Sequence, residues 1–271
     1  MKYIFVLLFL WTGLVGSTIK SKVVSIDEEN QTLIINIKKV NVGMSGFVVH
    51  QFAQHHSSIL NNVVVISFDE SSSTAVLKMS KYDDLVHSAL PKGRWKAHVG
   101  DDIVLAYGYS RAMLVAPNEE VYYRITKSAT SVQWVHPDLF MTILSFHGHP
   151  TPIKEDFESM AKATTVGLYF FYLDKRLFTL DARSFVILNI SAAPLMQDSI
   201  QLPFYSRIEE INAAWWGEGS NELEDYEPHY YELMVTHNSK NKELYEIIKN
   251  GDAKLEFLLD EFEIEVKEVE E

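Results

Sequence analysis

Val166-Gly167-Leu168-Tyr169-Phe170-Phe171-Tyr172-Leu173 is a run of eight residues without a charge. A strand with one wet face alternates apolar and polar residues. A strand apolar at every position suits a sheet covered on both faces. The run therefore predicts a central strand with a layer on either side. Upstream, residues 153–163 place Phe157, Met160 and Ala161 at helical spacing, and His136-Pro137-Asp138 opens a further helix that runs through Phe146. Residues 131–135 read as a short strand. Pro117-Asn118-Glu119-Glu120 starts a helix with its acids in the first turn, where the helix dipole favours them. Downstream, residues 177–180 and 184–190 are two more strands. Strands alternating with helices in this way predict an α/β unit over residues 117–190.

Residues 22–116 have a different rhythm. Val23-Val24-Ser25-Ile26 and Thr32-Leu33-Ile34-Ile35-Asn36-Ile37 flank the polar loop Asp27-Glu28-Glu29-Asn30-Gln31. Val63-Val64-Val65-Ile66-Ser67-Phe68 and Thr74-Ala75-Val76-Leu77-Lys78-Met79 flank Asp69-Glu70-Ser71-Ser72-Ser73. With Gly46–Phe52 between them, and with residues 102–107 and 112–116 continuing the series around Gly108, these short β-branched and aromatic runs predict a small antiparallel barrel or sandwich over residues 18–116. The fold class is α+β, with residues 191–271 following as a linker and an acidic, partly helical tail.

The charge supports that division. The chain of 271 residues carries 37 acids and 24 bases, a net −13. Residues 18–190 hold 17 of each, whereas residues 191–271 hold 20 acids and 6 bases. This division into a neutral body and an acidic appendage is one of two grounds, with the extent of the family resemblance given below, for expecting that residues 18–211 fold without the rest. Such an appendage repels phosphate backbones, so nucleic acid is not an expected partner. At 47% hydrophobic and 12% aromatic, the chain has enough apolar surface to offset its ordering entropy, which excludes disorder as the main state.

Met1-Lys2, the apolar run Tyr3-Ile4-Phe5-Val6-Leu7-Leu8-Phe9-Leu10-Trp11 and the small residues up to Ser17 have the pattern of a signal peptide over residues 1–17. The run is shorter than the roughly 20 residues that span a bilayer, so no membrane span is expected after cleavage. The expected location is the periplasm or cell surface of a Gram-negative bacterium. There is no cysteine, which excludes thiolate-ligated metals, thiol catalysis and disulfides.

Candidate chemistry is sparse. Gly108-Tyr109-Ser110-Arg111-Ala112 approximates a nucleophile elbow, but Ser110 is followed by a strand-like run where a helix is required. His55-His56 and His147-Gly148-His149 could offer imidazoles to a metal, yet neither has an acid or third histidine at ligand spacing, and solvated loops are the expectation. The pairs Asp69-Glu70, Asp83-Asp84 and Asp101-Asp102 fall in predicted loops, where neighbours point apart. No phosphate-binding or dinucleotide glycine pattern occurs, and no cofactor, metal or enzymatic activity is expected. Trp215-Trp216 reads as an anchor of the tail on the body.

Several segments do point to a family. Gly46-Phe47-Val48-Val49, Leu114-Val115-Ala116-Pro117-Asn118-Glu119-Glu120-Val121-Tyr122, Asp138-Leu139-Phe140-Met141-Thr142-Ile143-Leu144, Ser184-Phe185 and Pro203-Phe204-Tyr205-Ser206-Arg207-Ile208-Glu209 occur in that order. Together they resemble the N-terminal domain of the plasminogen-binding PgbA family of gastric and related spiral bacteria. The resemblance runs from about Val23 to Ile211. It implies an exported binding protein with a protein partner, either plasminogen or another envelope protein. In that family binding is attributed to a C-terminal lysine, whose ammonium, stem and carboxylate match the anionic pole, aromatic trough and cationic pole of a kringle. Here the last residues are Lys267-Glu268-Val269-Glu270-Glu271, so the lysines available to such a site are Lys240, Lys242, Lys249, Lys254 and Lys267. A structural module of the envelope is the alternative, and a serine hydrolase using Ser110 a more distant one.

Overall fold

Leu33 and Ile35 are buried while Ile34 between them is exposed, and Ala75, Leu77 and Met79 repeat the pattern. This period of two folds the first third of the chain around one apolar interior. In the computed structural model, which describes residues 18–82, 84, 95–208 and 210–264, six strands close a barrel. They are β1 (Ile19–Asp27), β2 (Thr32–Asn36), β3 (Ser45–Ala53), β4 (His56–Asp69), β5 (Thr74–Lys81) and β6 (Asp102–Leu105). The order around the barrel is β1-β2-β5-β4-β3-β6, with β6 returning to β1 and every pair antiparallel. Closure resolves the choice between barrel and sandwich, and it leaves no open edge along the paired segments.

The second unit contains β7 (Arg111–Val115), α1 (Glu119–Ser128), β8 (Gln133–Trp134), α2 (Asp138–His147), α3 (Lys154–Thr164), β9 (Leu168–Leu173), β10 (Arg176–Asp181) and β11 (Ile187–Ala192). Its sheet has the order β11-β10-β9-β7-β8, with β7 parallel to both β8 and β9. The run 112–116, read from sequence as part of the first series, therefore belongs to this sheet and not to the barrel. The sheet is doubly covered, as the β9 run requires. Leu168, Phe170 and Tyr172 face the barrel core and α1, whereas Tyr169, Phe171 and Leu173 face the helices on the other side.

Those helices include the acidic segment. Residues α4 (Tyr226–His237), α5 (Lys242–Lys249) and a 3₁₀ helix (Ala253–Glu261) bury Tyr226, Tyr230, Tyr231, Met234, Val235, Leu244, Ile248, Leu255 and Leu258 in the same core as Phe171, Phe178 and Phe185. The partly helical tail expected from the sequence is thus three helical segments, with Gly251 separating α5 from the 3₁₀ helix. The expectation that residues 18–211 stand alone is not what the packing supports. Charge counted along a segment averages over helix faces, so it missed the apolar face.

Barrel and sheet meet over a seam centred on Asp181, which is fully buried. Its carboxylate accepts from Ser45 N at 2.9 Å, Tyr109 Oη at 2.6 Å, Arg183 N at 2.9 Å and Ser184 N at 2.8 Å. Ser184 Oγ donates to Gly43 O at 2.6 Å. Gly43 has φ +89°, and a Cβ there would lie 2.3 Å from Val186 Cγ1. Only glycine allows this approach. Burial, and then the neighbouring Asp181, push the Tyr109 phenol well above its usual pKa, so it serves as a donor.

Candidate functional site

In open α/β sheets, ligands bind beyond the carboxyl ends of parallel strands, at the point where successive connections leave in opposite directions. Here that point lies between β7 and β9, in the β8-β7-β9 order. The chain fills it with its own residues. Tyr205 N donates to Ala116 O and Gln201 N to Pro117 O, each at 2.7 Å. Tyr172 Oη donates to Leu195 O, and Tyr230 Oη to Pro203 O at 2.8 Å. Phe204 is fully buried and stacks on Phe140 with ring centroids 5.4 Å apart.

The family-like segments converge on this plug. Asn118 caps α1 by accepting from Val121 N at 2.9 Å, and its Nδ2 donates to Ser199 O. Asp138 at the start of α2 accepts from Ser206 Oγ at 2.9 Å, Arg207 N at 3.0 Å and Arg207 Nε at 2.7 Å. Burial alone would raise the Asp138 carboxyl, but these donors outweigh it and hold the pKa below its usual value. Tyr122, His136 and Tyr205 pack as a ring cluster above, and burial pushes the Tyr122 phenol up to about 12.

The histidines are better placed than their spacing suggested. His147 ends α2, and Asp156 lies in the first turn of α3. The two helices pack together, so His147 Nδ1 sits 2.6 Å from Asp156 Oδ1, and His149 Nδ1 sits 2.9 Å from Oδ1 and 3.0 Å from Oδ2. Asp156 is fully buried, and its Oδ2 also accepts from Ile153 N at 2.9 Å. The solvated-loop reading of His147-Gly148-His149 is thus corrected, because the acid missing from the local sequence comes from the next helix. A second cluster joins His50, His98 and Asp101. His50 Nδ1 is 2.6 Å from Asp101 Oδ1, and Trp95 stacks on the His50 ring.

The other sequence candidates are dispersed. His55 and His56 are exposed at the tip between β3 and β4. Asp69 accepts from the Ser71 and Ser72 hydroxyls, which lower its pKa to about 2 and make it a loop stabiliser. Asp101 and Asp102 diverge, Asp102 pairing with Lys22 at 2.9 Å. Asp84 pairs with Arg183, while Asp83 lies outside the described residues. Ser110 is exposed in the turn before β7. Trp215 and Trp216 are 96% and 82% exposed, so they do not anchor the tail. Ala214 does so instead, its N–H donating to Gly148 O at 2.8 Å.

Among the lysines, Lys240 lies 3.4 Å from Glu263 and Lys254 lies 3.2 Å from Asp225. Lys254 also borders a shallow pocket with Asp225, Glu227 and Asp252. Lys242 and Lys249 are exposed at the two ends of α5, and among the described residues neither forms an ion pair. Lys249 lies over the Tyr245 ring, 5.7 Å from its centroid. Lys267 and the leader residues 1–17 lie outside the described residues.

Three imidazoles have pKa values below the usual 6.5. Burial lowers His136 against the pull of Asp138, and burial lowers His229 despite its bond to Pro152 O. At His237 burial acts first and Lys154 adds to it. A depressed histidine binds its proton more tightly when unfolded. Its contribution is complete above about pH 6.5 and is lost as pH falls below that value. The urea midpoint should therefore fall between pH 7.5 and 5.5 less steeply in His229→Gln than in the parent. Equal slopes would show that His229 has no part in the acid sensitivity.

Residues 18–234 match the family described as plasminogen-binding protein pgbA N-terminal. The chain belongs to that family. Two relatives named Plasminogen-binding protein PgbA, from Helicobacter pylori strains J99 and 26695, are each 28% identical to it over 210 residues. The alignment covers 76% of this chain and 44% of each relative, so the chain spans less than half of the proteins it matches. No solved structure matches it. The family match extends to Met234, inside α4, further than the resemblance read from sequence near Ile211. That extent agrees with α4 being part of the folded body.

Proposed function

We propose that this chain is an exported, non-enzymatic binding module of the bacterial envelope or surface, and that it engages plasminogen through lysines of its acidic segment. The observation that carries the reading is the family match, because the relatives are named for plasminogen binding. Two structural features support a module that binds without turnover. The crevice where α/β sheets hold ligands is occupied by residues 195–206, and Ser110 leads into a strand. No helix among the described residues is long and apolar enough to cross a membrane. Lys249, exposed, with its ammonium over the Tyr245 ring and free of ion pairs among the described residues, is the best presented cation of the set. An internal lysine must borrow its carboxylate from a neighbour, such as Glu246 one turn back. The ligand is then less preorganised and the affinity modest.

All five lysines lie beyond the matched residues 18–234. Their substitution therefore separates a lysine-borne activity from one carried by the body. Plasminogen passed over the immobilised chain should bind weakly, and a free lysine analogue should compete. Raising the salt should weaken the contact. Replacing Lys240, Lys242, Lys249, Lys254 and Lys267 by Gln should lower the affinity at least tenfold. Binding that survives both the analogue and the fivefold substitution would overturn the lysine mechanism and place the contact on the barrel and sheet.

A further inference from the structure

We propose that His147, His149 and Asp156 form a binding site for a late first-row divalent cation of the zinc class. The donors would be the two Nδ1 atoms and Asp156 Oδ1, all within 4.8 Å of one another. Metal bonds from nitrogen and carboxylate oxygen are about 2.0–2.2 Å long, so neighbouring donors on one ion stand about 3.0 Å apart in an octahedron and somewhat further apart in a tetrahedron. The nitrogen-to-oxygen separations of 2.6, 2.9 and 3.0 Å require only a small opening to admit the ion. A carboxylate accepts only, so the ring nitrogens facing it carry protons in the absence of an ion. Binding moves each proton to Nε2 on the solvent side of the ring.

The site is built rather than incidental. Gly148 between the two histidines has φ +73°, the left-handed conformation, and both its own N–H and that of His149 return to Leu144 O. That reversal turns two residues of an i, i+2 pair toward one acid on another helix. A Cβ on Gly148 would lie 2.7 Å from Ala214 N, and one on Gly219 would lie 3.0 Å from His149 Cγ, so residues 214–219 press on the pair from outside. Asp156 is fully buried, and Ile153 N holds its Oδ2, leaving Oδ1 to bind in a fixed direction. Such support orients a ligand and strengthens the site. Lys154, in the same first turn of α3 as Asp156, is engaged by Glu158 at 2.6 Å. Two imidazoles with one carboxylate favour zinc, cobalt, nickel or iron over magnesium or calcium, which prefer oxygen donors throughout. Three protein donors also leave coordination positions open, which water or a partner's side chain can fill.

The test uses the full chain, stripped with chelator and titrated calorimetrically with Zn²⁺. Co²⁺ serves as a spectroscopic probe and Mg²⁺ as a control. His147→Gln and His149→Gln replace half-buried rings and leave Asp156 to cap α3. His50→Gln controls for the second histidine cluster. Equal melting temperatures in chelator confirm that the variants are folded. The parent should bind Zn²⁺ and give a Co²⁺ d–d spectrum, and Mg²⁺ should give no heat. His147→Gln and His149→Gln should each lose one equivalent or weaken it at least tenfold, while His50→Gln retains it. Failure of the parent to take up Zn²⁺, binding in both His147→Gln and His149→Gln equal to that of the parent, or loss of that equivalent in His50→Gln alone would overturn the assignment.

Discussion

A fragment ending at Asn212 should fail to fold cooperatively, although the neutral charge up to Ile190 and the sequence resemblance ending near Ile211 together suggested a boundary there. Removing residues 213–271 takes away the buried side chains of α4, α5 and the 3₁₀ helix, nine of them large and apolar. At about 1.5 kcal/mol or more for each fully buried side chain, the loss exceeds about 10 kcal/mol. The whole margin of a folded domain is about 5–15 kcal/mol. The ordering entropy of the removed helices is recovered, but the aromatic face left behind is then exposed to water. Phe171 loses the Tyr230 ring at 5.4 Å, Phe178 loses Tyr231 at 5.8 Å, and Phe185 loses His237 at 5.6 Å. Ile187 N and Phe185 O lose the side chain of Asn238, which binds both. Calorimetry should show no cooperative transition, and a hydrophobic dye should bind. A sharp transition within about 5 °C of the full chain, where each kcal/mol moves the midpoint by about 2–4 °C, would show that α4 only decorates the sheet.

The second large effect is expected at Asp181. Alanine there removes the acceptor of four hydrogen bonds and leaves the buried Ser45 N–H and Tyr109 hydroxyl without their carboxylate. An unsatisfied buried donor costs about 1–3 kcal/mol, and breaking a buried charged network about 3–5 kcal/mol. For a chain of this size the midpoint should fall by on the order of 10 °C. Asp181→Asn keeps the shape and one acceptor, so it should fall between the parent and Asp181→Ala. Tyr109→Phe removes a single donor and should cost about 1 kcal/mol. A midpoint for Asp181→Ala within 1 °C of the parent would mean that the seam is held by apolar contact alone.

These two positions show what sequence can and cannot convey. The β9 run announced a doubly covered strand because apolar residues at every position admit few other readings. The barrel strands were legible as short β-branched and aromatic runs between polar loops, whereas the alternate sides taken by Leu33, Ile34 and Ile35, all apolar, show only in the structure. The strand β7 was legible as a strand but not as a member of its sheet. Ala112-Met113-Leu114-Val115 would satisfy either sheet, and only long-range pairing with β9 assigns it. The helix α4 was obscured by its chemistry. Tyr226, Tyr230 and Tyr231 bury their rings, and hydroxyl bonds from Tyr226 to Tyr172 O and from Tyr230 to Pro203 O offset the burial of their polar ends, while intervening acids dominate the charge count. The histidine cluster was missed because its acid arrives from another helix. An acid in the first turn of α3, so soon after His149, was the available signal. A search confined to local ligand spacing passes over it.

The seam at Asp181 also has a mechanical consequence. The chain enters through β1, in the barrel, and the last described helices lie across the far face of the second sheet. A tether at one end and a pull at the other therefore draw on different bodies, and tension crosses between them at Ser45, Tyr109 and Asp181. Under such a load the join at Asp181 is the expected place of first yielding. Opening it would also bare the sheet face of Leu168, Phe170 and Tyr172, which the barrel covers.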